Sequence, residues 1–112
     1  MADANDRRIA VCAGSDCRRH AAYEPLCVAL SDAGVPFERV KCIDLCHPPV
    51  AVIATDDGQP VMLERVRSAK QRRDLVRVAV SGAALSERLR GLRSTGKPLA
   101  KARRAFAKQR RR

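Results

Sequence analysis

Four short apolar runs and two stretches of helical periodicity order roughly the first 80 residues. Arg8-Ile9-Ala10-Val11-Cys12 has the length and continuity of a buried strand, and Ala13-Gly14-Ser15-Asp16 is turn chemistry that ends at Cys17. From Cys17 to Asp32 the period becomes that of a helix. Tyr23, Leu26, Cys27 and Leu30 fall at i, i+3, i+4 and i+7 and so share one side. Pro25 either lies in the first turn of this helix, where its missing N–H costs little, or kinks a longer one. Gly34 supplies the stop.

Val35 to Lys41 predicts a second strand running into Cys42. Ile43-Asp44-Leu45 then leads to Cys46, and His47-Pro48-Pro49 forms a rigid loop. Val50 to Ala54 is a third strand, Asp56-Asp57-Gly58 a hairpin turn, and Val61 to Val66 a fourth strand entered just after Pro60. Ser68 is placed to cap a helix through about Val80, with Leu75, Val76 and Ala79 on its apolar side. The predicted order is β-α-β-β-β-α, an α/β chain with a mixed sheet and helices packed against it. Beyond Gly82, Leu85, Leu89 and Leu92 keep a short helical spacing. From Ser94 onward Lys, Arg, Ala and Gln dominate, too few apolar groups for that segment to order itself alone.

Composition changes this picture in two ways. With 112 residues and 46% apolar side chains, the chain has room for one domain and a modest core, filled mainly by Val, Leu, Ile and Ala because aromatics are 3%. The net charge of +11 is concentrated at one end. In residues 1–84 twelve Lys and Arg nearly balance eleven Asp and Glu, whereas in residues 85–112 eleven stand against Glu87 alone. A nearly neutral domain therefore carries a polycationic extension. No apolar run approaches the roughly 20 residues of a membrane span, and the polar, acidic N-terminus lacks the layout of a secretory signal. A cytoplasmic protein with no membrane partner is expected. In a reducing compartment, five cysteines call for a purpose other than disulfides.

Their spacing suggests one. Cys12 and Cys17 form C-x4-C at a strand end and helix start, while Cys42 and Cys46 form C-x3-C at the next strand end and the loop beyond. If those two strands are parallel neighbours, both pairs leave the same end of the sheet. Four thiolates then converge from two loops, the number a [2Fe-2S] cluster needs. Such a cluster is anionic, so loop amides must point at its sulfurs, a task that suits Gly14, Ser15 and Asp44. Cysteine is also a common small buried residue, and that account suits Cys27, between Leu26 and Val28, better than the four paired ones. A structural zinc is the chemical rival, although x4 with x3 fits its usual knuckles less well. A C-x-x-C redox dithiol is absent.

The residues from about Arg8 to Val80 resemble the thioredoxin-like [2Fe-2S] ferredoxins, which include small bacterial ferredoxins and the related cluster-bearing subunit of respiratory NADH dehydrogenase. The resemblance is carried by Val11-Cys12-Ala13-Gly14-Ser15-Asp16-Cys17-Arg18, by Cys42-Ile43-Asp44-Leu45-Cys46 and by Pro49-Val50-Ala51-Val52. It implies a thioredoxin-like fold over residues 1–84, with residues 85–112 as a basic, partly helical or disordered tail. It also implies one [2Fe-2S] cluster near the surface on Cys12, Cys17, Cys42 and Cys46, redox partner proteins, and often a homodimer. The family usually has Gly where Asp44 stands, and commonly where Pro48 stands. A carboxylate at Asp44 would lower the reduction potential unless it faces solvent or pairs with a cation.

Other residues offer less. His47 is better read as a solvent-facing or supporting residue than as a ligand, and His20 as part of the first helical turn. Nothing resembles a phosphate-binding Gly-rich loop or a dinucleotide fingerprint, and no side chain is assigned to making or breaking substrate bonds. The chain is thus expected to be an electron carrier and not an enzyme by itself. The alternative is a nucleic-acid- or partner-binding module whose metal site is structural zinc or empty. Lys97, Lys101, Arg103, Arg104, Lys108 and Arg110-Arg111-Arg112 would then meet phosphates or an acidic protein.

Overall fold

The computed structural model describes residues 8–43, 45, 47–54, 60–81 and 84–110. Four strands form one mixed sheet: β1 Arg8–Cys12, β2 Phe37–Val40, β3 Ala51–Ala54 and β4 Val61–Leu63. Their order is β2-β1-β3-β4, with β1 parallel to β2 and antiparallel to β3, and β3 antiparallel to β4. Ile9 to Cys12 and Ala51 to Ile53 are buried on both faces, as expected of unbroken apolar runs at the centre of a covered sheet. The edge strand β2 instead exposes Glu38 and Arg39.

Five helices are present among the described residues: α1 Ser15–Arg19, α2 Tyr23–Asp32, α3 Ala69–Ser81, α4 Glu87–Arg90 and α5 Gly96–Arg110. The single helix expected from Cys17 to Asp32 is two. His20 interrupts it, its Nδ1 accepting from the Ala22 N–H at 3.0 Å, so a side chain competes with the helical carbonyl. Pro25 then falls in the first turn of α2, where no N–H is needed. Gly34 ends α2 at φ +71°, with its N–H on Ser31 O and the Val35 N–H on Leu30 O, the paired bonds of a Schellman stop. Ser68 caps α3 through Oγ to the Gln71 N–H at 3.0 Å, and Gln71 Oε1 accepts from the Ser68 N–H in return.

The fourth strand is shorter than the apolar run suggests. Past Leu63, Arg65 turns to φ +55° and donates its N–H to His47 O, and Val66 donates to Pro49 O, drawing the chain toward the loop after the second cysteine pair. The exposed edge of β4 is covered by residues 92–94. Ser94 N–H donates to Met62 O, and Glu64 N–H to Leu92 O.

Residues Gly96–Arg110 form α5, and they do not order alone. Ala102 and Phe106 are buried in the same apolar cluster as the sheet, with Leu99 and Ala105 packed against it. Arg103 Nε donates to Pro60 O at 3.2 Å, and the Gln109 amide exchanges two hydrogen bonds with the Lys41 backbone, at 2.9 and 3.0 Å. Burying one phenyl ring contributes about 1.5–3 kcal/mol, enough to anchor a helix whose other sides are charged. The Asp56-Asp57-Gly58 turn lies outside the described residues.

Candidate metal centre

The parallel pairing of β1 and β2 sets Cys12 beside Val40, so Cys42 follows only two residues past Cys12's own partner. Cys12 ends β1 and is fully buried, Cys17 lies in α1 and is 3% exposed, and Cys42 is exposed. Cys46, the fourth predicted ligand, and Asp44 lie outside the described residues. Three of the four predicted cysteines thus come to one end of the sheet, from two loops.

Gly14 makes the closeness of those loops concrete. A Cβ built there would lie 2.9 Å from Cys42 Cβ and 3.3 Å from Cys42 Cα. Its backbone is an ordinary extended one, φ −62° and ψ 163°, so glycine is required here for space and not for conformation. The loops are also held by backbone bonds from Ala13 N–H to Val40 O at 2.7 Å and from Cys12 N–H to Val50 O at 3.0 Å.

The thiols are electrostatically linked. Cys12 is lowered to about 6, first by its hydrogen bond with Cys17, then by the backbone N–H groups of Gly14 and Ile43 and by Cys42, against the opposing effect of burial. Cys17 is driven upward by the same bond to Cys12, by burial and by the charge on Cys12 and Cys42, while the Val50 N–H acts the other way. The set favours thiolate on Cys12 and resists a second charge on Cys17. Three loop amides, those of Gly14, Ile43 and Val50, serve these sulfurs. The four described cysteines form no disulfide. Among the described residues no group of three or more His, Cys, Asp or Glu side chains is placed to hold a metal ion. Soft thiols with backbone amides directed at sulfur are the donor chemistry that a [2Fe-2S] cluster would need, the amides then opposing its negative charge.

Cys27 stands apart. It is 5% exposed on the buried side of α2, next to Tyr23. The Tyr23 hydroxyl accepts from Arg39 Nε at 3.2 Å, and burial raises its pKa while Arg39 opposes the rise. His47 is exposed. A cavity of about 430 Å3 opens beside it, lined also by Leu45, Glu64, Arg65, Arg93 and Ser94.

Two features escaped the sequence reading. Gly14 was legible as a turn residue, but its approach to Cys42 depends on strand pairing. Gln109 carried no sequence signal, since its partner is 68 positions away. The chain matches no protein-family model, no curated protein and no solved structure. Among the described residues no helix is long and apolar enough to cross a membrane.

Proposed function

We propose that the chain is a cytoplasmic, thioredoxin-like ferredoxin: a one-electron carrier, not an enzyme by itself, that holds one [2Fe-2S] cluster on Cys12, Cys17, Cys42 and Cys46. The observation that carries this reading is the meeting of Cys12, Cys17 and Cys42 at the paired ends of β1 and β2, with the Gly14, Ile43 and Val50 amides directed at their sulfurs. When bound, such a cluster supplies reversible one-electron chemistry. The chain's own part is to supply ligands, screen charge and limit water. The loop amides stabilise anionic sulfur, burial of Cys12 and Cys17 shields one side, and Cys42 leaves an edge accessible.

Anaerobic purification tests the reading. The expected result is a brown protein with two irons and two sulfides per chain, bleached by dithionite with gain of an electron paramagnetic resonance signal. Serine at Cys12 or Cys17 should remove most of the iron. A colourless protein holding one zinc, or no metal, overturns the reading. The basic helix would then be left as the functional element, for nucleic acid or a protein partner.

A further inference from the structure

The charge on α5 is arranged, not merely abundant. Lys97, Lys101, Arg104 and Lys108 are all exposed and recur at i, i+4, i+7 and i+11, so they form one stripe about 16 Å long. The stripe lies opposite the side that buries Ala102 and Phe106, which holds it outward. Its C-terminal end is fixed in place. Gln109, next to Lys108, grips the backbone of Lys41 through both amide atoms, and Lys41 immediately precedes Cys42. The C-terminal end of α5 is therefore tied to the residue that precedes Cys42, the one described cysteine that is exposed. Lys41, Arg18 and Arg19, also exposed, add positive charge near the cysteine loops, against Asp16 on α1 and Glu38 on β2.

We infer that the outward side of α5, together with Lys41, is a docking surface for an acidic partner protein, which it seats at the Cys42 edge. The inference rests on the electron-carrier reading for what is exchanged there, though not for the docking itself. Two observations favour a protein over a nucleic acid. The helix that carries the cations is held at Lys41, next to one exposed cysteine where a redox partner must approach. The stripe also has no aromatic side chain for stacking bases, since Phe106 is 3% exposed and faces the core. Cationic residues arrayed this way steer an anionic partner and fall off with salt.

Two measurements on the whole chain test this. The first is fluorescence anisotropy of a labelled decaglutamate peptide, which needs no cluster. Charge reversal by Arg104→Glu with Lys108→Glu should weaken binding by roughly tenfold or more at low salt. The same change in charge on α3, Arg73→Glu with Arg77→Glu, should matter far less, because these exposed arginines lie outside the α5 stripe. The second is stopped-flow oxidation of the dithionite-reduced protein by ferricyanide. One electron leaves the protein and ferricyanide becomes ferrocyanide, with no proton or bond exchanged. The rate should fall with added salt and drop roughly tenfold in the α5 variant alone. Equal effects of the α3 and α5 variants in either assay overturn the inference. So does tighter, α5-dependent binding of a labelled duplex DNA than of the peptide. A chain that never bleaches fails the electron-carrier reading, while the anisotropy result still decides the docking surface.

Discussion

Replacing Gly14 with alanine adds one methyl group at a position whose backbone alanine adopts without strain, φ −62° and ψ 163°. Two effects oppose each other. Fewer unfolded conformations favour the folded variant by about 0.4–1 kcal/mol. Against this, the new Cβ would sit 2.9 Å from Cys42 Cβ and 3.3 Å from its Cα, atoms that move only with the backbone. Overpacking of this kind costs about 1–3 kcal/mol, so the clash should win by about 1 kcal/mol, or about 4–8 °C in Tm. Gly91→Ala is the matched control. Gly91 has φ −66° and ψ −15°, and its added Cβ would meet only carbonyl oxygens at 3.6 and 3.7 Å. That variant should be neutral or gain up to about 1 kcal/mol. Thermal and urea unfolding of the two variants beside the parent chain measure the difference. If Gly14→Ala is as stable as Gly91→Ala, the first cysteine loop is not pressed against Cys42 and the steric argument fails. If the clash is real, and the proposed cluster is bound, iron retained after anaerobic purification should fall in parallel, because relief of the clash moves Cys42, one of its proposed ligands.

Two further outcomes follow from the packing and the charges. Phe106→Ala should cost about 3–5 kcal/mol in urea unfolding, since the ring is 3% exposed within the common core; a loss under about 0.5 kcal/mol would mean that α5 is not anchored. Asp74 is held below the usual carboxylate range, first by the Ser86 hydroxyl at 2.8 Å and then by Arg88, also at 2.8 Å, with partial burial opposing. Its folded pKa is depressed, so its contribution is present above the unfolded value of about 3.9 and is lost as pH falls through the folded one. Asp74→Asn should flatten the acid limb of the stability curve below about pH 4, as followed by urea midpoints, and an unchanged limb would refute the assignment.

Much of the local structure was legible because it is made by groups a few residues apart. The Ser68–Gln71 box and the stop at Gly34 join residues within five positions. The central strands announced themselves by unbroken apolar runs, and the cysteine spacing marked Cys12 and Cys42 as residues at or just beyond strand ends, whereas Cys17, expected to start a helix after a turn, lies at the middle of α1, which begins at Ser15. Short-range rules also failed in places. Helical periodicity runs through His20, yet the ring nitrogen there captures the Ala22 N–H and breaks the helix. Val61 to Val66 looks like one strand, but the bonds from Arg65 and Val66 to His47 and Pro49 end it early.

The amino-acid sequence by itself determined which residues could turn, cap, bury or bind sulfur-loving metals, and it located nearly all the excess charge beyond residue 84. Only the tertiary structure decided that β1 and β2 lie parallel, that Gly14 meets Cys42, and that the basic segment packs as a helix with Gln109 on Lys41. The physical reason is the distance along the chain. Propensity, capping and periodicity act within a turn or two. Strand pairing and helix docking depend on surfaces tens of residues apart, whose burial must offset the entropy of bringing them together. A run of lysine and arginine contains no sign of the sheet that will cover its one apolar side.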